Sequence, residues 1–185
     1  MPWPDIRGPG DPTDAAAAAV LQNVQRYVAA VNGAAIICMW DTLLPGQTGH
    51  GDGRVNNHTE MALAWGEINR VFAAVPAVKF ELFNEPFGYK TDDRGARAYL
   101  AEMAGIIASA GLAEARVILD GMGYADDVRA LNRAGWDGAM AYHFYPNWVP
   151  SGSETSAAYA ARVLQDINGL GSRVRAAAVH CNRAL

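Results

Sequence analysis

The stretch Val78-Lys79-Phe80-Glu81-Leu82-Phe83-Asn84-Glu85-Pro86 decides how this chain is read. Its first six residues are short, apolar and partly alternating, which predicts a strand over 78–83. The polar pair Asn84-Glu85 and then Pro86 end it. A carboxylate just past the carboxyl end of a strand stands where α/β enzymes place their reactive groups. The competing reading of Glu85 is an ordinary surface carboxylate ahead of a loop proline.

Working outward, the same plan recurs. Upstream, Ala34-Ala35-Ile36-Ile37-Cys38-Met39-Trp40 is a continuous apolar run, as expected of a parallel strand covered on both faces. An Ala-rich helix from Thr13 or Asp14 to Val31 precedes it and stops at Asn32-Gly33; a helix over 59–74 follows it. Downstream, the pattern predicts a helix from Asp93 to Ala110, a strand from Arg116 to Asp120, and a helix from Asp126 to Ala134. A strand from Ala139 to Phe144, a helix from Ser156 to Asn168 and a strand from Val174 to Cys181 complete it. Strand–helix alternation of this kind builds right-handed βαβ units and a parallel sheet.

Two architectures carry such a sheet. The 185 residues suit an open doubly wound sheet, since a closed barrel takes about 200 or more. Against the open sheet, no Gly-rich phosphate turn follows any strand, and polar and aromatic residues gather after every strand rather than at one switch point. That distribution predicts an α/β fold of barrel type in a single domain over 1–185.

Composition narrows the function classes. A net charge of −4 with scattered Arg and Lys gives no basic stripe, so no nucleic-acid partner is expected. No apolar run approaches the roughly 18 residues that span a bilayer, so no membrane partner is expected either. The start, Met1-Pro2-Trp3-Pro4-Asp5, lacks the plan of a signal peptide. Cys38 and Cys181 are the only cysteines and form no disulfide framework. His143, His180, Cys181 and Asp41 all fall at predicted strand ends, but no short ligand spacing joins them, and neither a metal nor another cofactor is expected.

The order and wording of these segments resemble glycoside hydrolase family 5, the cellulase and mannanase family with an Asn-Glu acid/base motif. Phe80 to Pro86 is similar to that family's fourth-strand motif, Ile118-Leu119-Asp120-Gly121-Met122 to its fifth strand, and Tyr142-His143-Phe144-Tyr145 to its sixth. The resemblance implies a partial (β/α)8 barrel, about strands 3 to 7 with their helices. It implies a retaining hydrolase of β-1,4-linked polysaccharide, secreted, with an oligo- or polysaccharide substrate. Glu85 would then be the acid/base, Asn84 would hydrogen-bond the sugar 2-hydroxyl, and His143 and Tyr145 would orient substrate and nucleophile.

A retaining mechanism needs a second carboxylate about 5 Å from the first. In the family a Glu ends the seventh strand; here His180 and Cys181 stand at the corresponding place. Nor do the family's early Arg and late Trp find counterparts. A segment of a longer enzyme, with sheet edges open to self-association, is the reading that explains this, and a catalytically inactive or carbohydrate-binding remnant is the alternative. Cys181 as a thiolate nucleophile, and Asp41 or Asp120 as a surrogate carboxylate, are further readings; for the two Asp residues a loop cap is favoured. Trp40, Trp148 and Tyr124 are placed to stack on sugar rings, whereas Trp65 and Trp136 belong to helix packing and His50 and His58 to solvent.

Overall fold

The sheet is built in the order of the sequence. In the computed structural model, which describes residues 15–33, 35–39, 51–143, 157–158, 161, 164 and 177–180, the strands are β1 (Ile36–Cys38), β2 (Lys79–Glu81), β3 (Val117–Asp120), β4 (Ala139–His143) and β5 (Ala177–His180). They pair side by side as β1-β2-β3-β4-β5, every pair parallel. A doubly wound sheet reverses its strand order at a switch point, whereas a barrel simply continues around. The uninterrupted order is therefore that of a partial barrel, as the sequence predicted.

Helix α1 (Ala15–Ala30) precedes β1, and α2 (His58–Val71), α3 (Asp93–Ser109) and α5 (Val128–Arg133) lie between the strands in sequence. Each well-capped start is written in the chain. Asn57 Oδ1 accepts from the Glu60 amide at 3.1 Å, Asp92 Oδ1 from Gly95 at 2.7 Å, and Asp127 Oδ1 from Ala130 at 2.9 Å. The helix expected from Asp126 starts two residues later because Asp127, not its neighbour, is the cap. Before it, α4 (Met122–Ala125) is a single turn broken by non-helical dihedrals at Gly123 and Tyr124. The predicted helix over Ser156 to Asn168 falls largely outside the described residues.

The core lies between sheet and helices. Trp65 of α2, Phe80, Leu82 and Phe83 from the second strand and its exit, Tyr99 and Met103 of α3, Leu119 and Met140 are all buried, each large apolar side chain contributing about 1.5–3 kcal/mol. Trp65 also donates its indole N–H to Leu82 O at 3.1 Å, and Trp136 donates to Ala139 O at 2.9 Å. Both tryptophans are packing residues, as expected.

The loops after β1 and β2 touch main chain to main chain. The Gly88 amide donates to Gly53 O at 3.1 Å, and a Cβ on Gly88 would fall 2.2 Å from Asp52 O. Only glycine allows that approach. Arg54 Nε adds a bond to Gly88 O at 2.8 Å. The turn that carries Glu85 is thereby tied to its neighbour.

Candidate active site

The parallel register sets four strand ends in one phase. Cys38 is level with Glu81, Glu81 with Ile118, and Asp120 with Ala141, so that Cys38, Glu81, Asp120 and His143 all project on the same side of the sheet near its carboxyl edge. The main chain then runs two residues past Phe83 to Asn84 and Glu85. The Asn84 amide donates to Met39 O at 2.8 Å, and the Glu85 amide to Asp120 Oδ2 at 2.8 Å. Glu85 takes a left-handed backbone conformation, φ 50°, which costs a non-glycine residue roughly 1–2 kcal/mol.

Three of these side chains are almost wholly out of solvent: Asp120 at 0%, Glu81 at 1% and His143 at 3% exposure. His143 links them. Its Nδ1 lies 3.1 Å from Glu85 Oε1, and its Nε2 lies 3.6 Å from both Glu81 Oε1 and Asp120 Oδ2. Cys38 Sγ donates to Glu81 Oε1 at 2.9 Å. Glu85 and Cys38 are only partly buried.

Burial and mutual charge set the protonation states. Burial pushes Asp120 well above the usual carboxylate range and the Glu81 charge adds to it; the His143 charge and the Glu85 amide pull the other way without offsetting them. For His143, burial opposes the charged ring. Hydrogen bonds to Glu81 and Glu85 and the charges of Asp120 and Glu81 outweigh it and hold the imidazole up at about 10. At neutral pH the ring is an imidazolium, and Nδ1–H donates to Glu85. Burial, then Glu81, pushes the Cys38 thiol well up, so that it serves as a hydrogen-bond donor rather than a nucleophile.

The structure thus brings together Asn84, Glu85 and His143 of the predicted site. Tyr145, Trp40 and Trp148 lie outside the described residues, as do Asp41, His50 and Cys181. Asp120 is corrected: its Oδ2 accepts the Glu85 amide of the neighbouring loop rather than capping its own, and its full burial rules it out as a surrogate nucleophile. His58 is exposed to solvent, as expected, and its Nε2 also lies 3.1 Å from Glu102 Oε2. Tyr124, 52% exposed, stacks on Phe87, 36% exposed, with ring centroids 5.2 Å apart. Phe87 was not foreseen; it lies two residues past Glu85, where an aromatic residue ahead of Gly88 is a legible signal. Glu81, Asp120 and His143 offer ligand atoms within 4.8 Å of one another, a set of N and O donors of the sort that divalent ions accept. A separate groove of about 440 Å³ between α2 and α3, lined by His58, Leu63, Glu102 and Ile106 among others, shares no residue with this cluster.

XacCel5A superposes with a TM-score of 0.59 at 19% identity, over 85% of this chain and 54% of that one. The fold is like that of family 5 glycoside hydrolases. Cel5A (EG2) from Hypocrea jecorina gives 0.54 at 15% identity, over 91% and 65%, and the cellulose synthase subunit Z of Clostridioides difficile gives 0.56 at 13%, over 84% and 58%. XacCel5A has also been solved with cellopentaose bound, at 19% identity and a TM-score of 0.57. At such identities the likeness is one of fold. The chain spans between about half and two thirds of the length of these structures. No family profile and no curated protein matches it.

Proposed function

We propose that this barrel segment carries the acid/base half of a retaining glycoside hydrolase acting on β-1,4-linked glucan, with Glu85 as the acid/base. The observation that supports it most is the placement of Glu85 itself. It sits past the carboxyl end of β2, its main chain fixed by Asp120, its carboxyl group held by His143 and its side chain reaching the surface. In the first step Glu85 would protonate the departing glycosidic oxygen; in the second it would take a proton from water. Asn84 would hydrogen-bond the sugar 2-hydroxyl. The exposed Phe87–Tyr124 stack, with Trp40 and Trp148, would offer platforms to the apolar faces of sugar rings, and Tyr145 would assist His143 in orienting the reacting groups.

The partner nucleophile is not found in this cluster among the described residues. The carboxylates that meet the Glu85 cluster, Glu81 and Asp120, are buried and cannot attack an anomeric carbon. At the end of β5, level with His143, stands His180. A small anion supplied in solution should take the missing place. Release of 4-nitrophenol from 4-nitrophenyl β-cellobioside should therefore rise with azide, and should fall about a hundredfold or more in Glu85→Gln.

The burial of both neighbouring carboxylates also favours a second reading, a site that binds cello-oligosaccharide without cleaving it. Calorimetric binding of cellopentaose with no release of 4-nitrophenol at any azide concentration would select it. Self-association through the outer strands β1 and β5 belongs to the same proposal, since unpaired strand edges pair with one another, and sedimentation equilibrium would report it as a dimer.

A further inference from the structure

We infer that Asp120 is a positioning residue of the Glu85 site, one that holds the Glu85 main chain in its left-handed turn and fixes the ring that holds the Glu85 carboxyl group. The inference deepens the hydrolase reading and rests on it for the role of Glu85, but the geometry it invokes stands apart from turnover.

The contacts close on themselves. The Glu85 amide reaches Asp120 Oδ2 at 2.8 Å; the same oxygen lies 3.6 Å from His143 Nε2; and His143 Nδ1 returns to Glu85 Oε1 at 3.1 Å. The circuit joins β3, β4 and the turn after β2, so main chain and side chain of Glu85 are referred to one carboxylate on a neighbouring strand. A left-handed glutamate is an uncommon and strained state that persists only where its surroundings hold it. Here Asp120 holds the amide, and the Phe87 amide donates to Glu85 O at 2.7 Å.

Stability alone does not account for an acid at this position. Asp120 is fully buried, Glu81 faces the same imidazole from β2, and Asp120 Oδ1 has no hydrogen-bond partner among the described residues. An apolar residue of similar size would avoid both costs. Nor does Asp120 touch a substrate, because none of its surface reaches solvent. What it supplies is one oxygen, shared between the Glu85 amide and the His143 ring.

Asp120→Asn and Asp120→Val separate these duties. Asn keeps an acceptor for the amide and loses the charge; Val loses both. By ¹⁵N NMR, hydrogen exchange at the Glu85 amide should be little changed in Asp120→Asn and about tenfold or more faster in Asp120→Val. The His143 imidazole, which faces Glu81 from β2, Asp120 from β3 and Glu85 from the turn, with Cys38 of β1 behind Glu81, should titrate lower in both variants. On 4-nitrophenyl β-cellobioside with azide, kcat should fall about tenfold or more in Asp120→Val with KM within about twofold, and Asn should restore part of it.

Unchanged amide exchange in both variants would overturn the inference. So would an unaltered kcat in both while Glu85→Gln abolishes turnover, a result that leaves the acid/base reading standing. If the wild-type chain releases no 4-nitrophenol under any condition, the hydrolase reading fails by itself, and amide exchange with the imidazole titration still decides the positioning. Stoichiometric zinc in the purified protein, lost in Asp120→Asn, would make Asp120 a metal ligand instead and overturn it too.

Discussion

At the amino end of β3, Arg116 gives Nε to Val78 O at 3.1 Å, Nη2 to Phe72 O and Val75 O at 3.1 and 3.3 Å, and Nη1 to Asn69 Oδ1 at 3.4 Å. Its guanidinium also covers the Phe80 ring at 4.3 Å. At the carboxyl end of the same strand, Asp120 shares a buried space with Glu81 and His143, and its Oδ1 has no hydrogen-bond partner among the described residues. One strand therefore carries a satisfied charge at one end and a strained one at the other. Satisfied polar groups hold folds together; under-satisfied ones that survive selection are held for another reason. Backbone strain divides in the same way. Positive-φ positions after helices at the amino side fall on Asn32, Gly33, Gly111 and Gly135, residues suited to them, whereas at the carboxyl side they fall on Glu85 and Ala125 as well as on Gly53 and Gly123.

Substitution at the two ends of β3 should have opposite consequences. Arg116→Ala removes four charge-assisted bonds and a ring contact, and should destabilise by about 2–4 kcal/mol in urea unfolding. Asp120→Asn, which relieves a buried acid, should leave stability unchanged or raise it. A large loss there would place Asp120 among the residues that hold the fold and break the contrast.

The contrast is sharpened by pH. His143 titrates at about 10 in the folded chain against 6.5 when unfolded. The folded state then binds more protons across that interval, so its contribution is fully present below about 6.5 and is lost as pH rises through about 10. Asp120 and Cys38, both raised by burial, act with the same sign. Tm should fall steadily from pH 6.5 to 10, and less steeply in Asp120→Asn. A flat profile would mean that the imidazole is neutral in the native protein.

The smallest effect concerns the backbone. Ala125→Gly should stabilise by about 1 kcal/mol, while Asn32→Gly should change stability by a few tenths, since Asn already tolerates that conformation. Equal effects at the two positions would remove the claim that strain gathers on the carboxyl side.

Much of this architecture was legible in the sequence, and the reason is local. Strand–helix alternation and helix caps such as Asn57 and Asp92 depend on neighbours in the chain, and Asn84-Glu85-Pro86 marks a strand end without reference to anything distant. Asp120 was not legible. Ahead of Gly121 it has the look of a loop cap, and only the register that sets Glu81 level with Ile118 carries it beneath the Glu85 amide. Register is a relation between strands, and a single strand does not specify it. The thiol of Cys38 on Glu81 and the left-handed Glu85 were hidden for the same reason, while Phe87, beside Glu85 in the chain, was there to be read.

Whether Glu85 acts as an acid/base is decided by release of 4-nitrophenol from 4-nitrophenyl β-cellobioside by the purified chain and by Glu85→Gln, each with and without azide. An acid/base Glu85 gives slow release from the wild-type chain, an increase with azide, and a loss of about a hundredfold or more in Glu85→Gln at unchanged Tm. Equal release from the two proteins, or none that responds to azide, would contradict it.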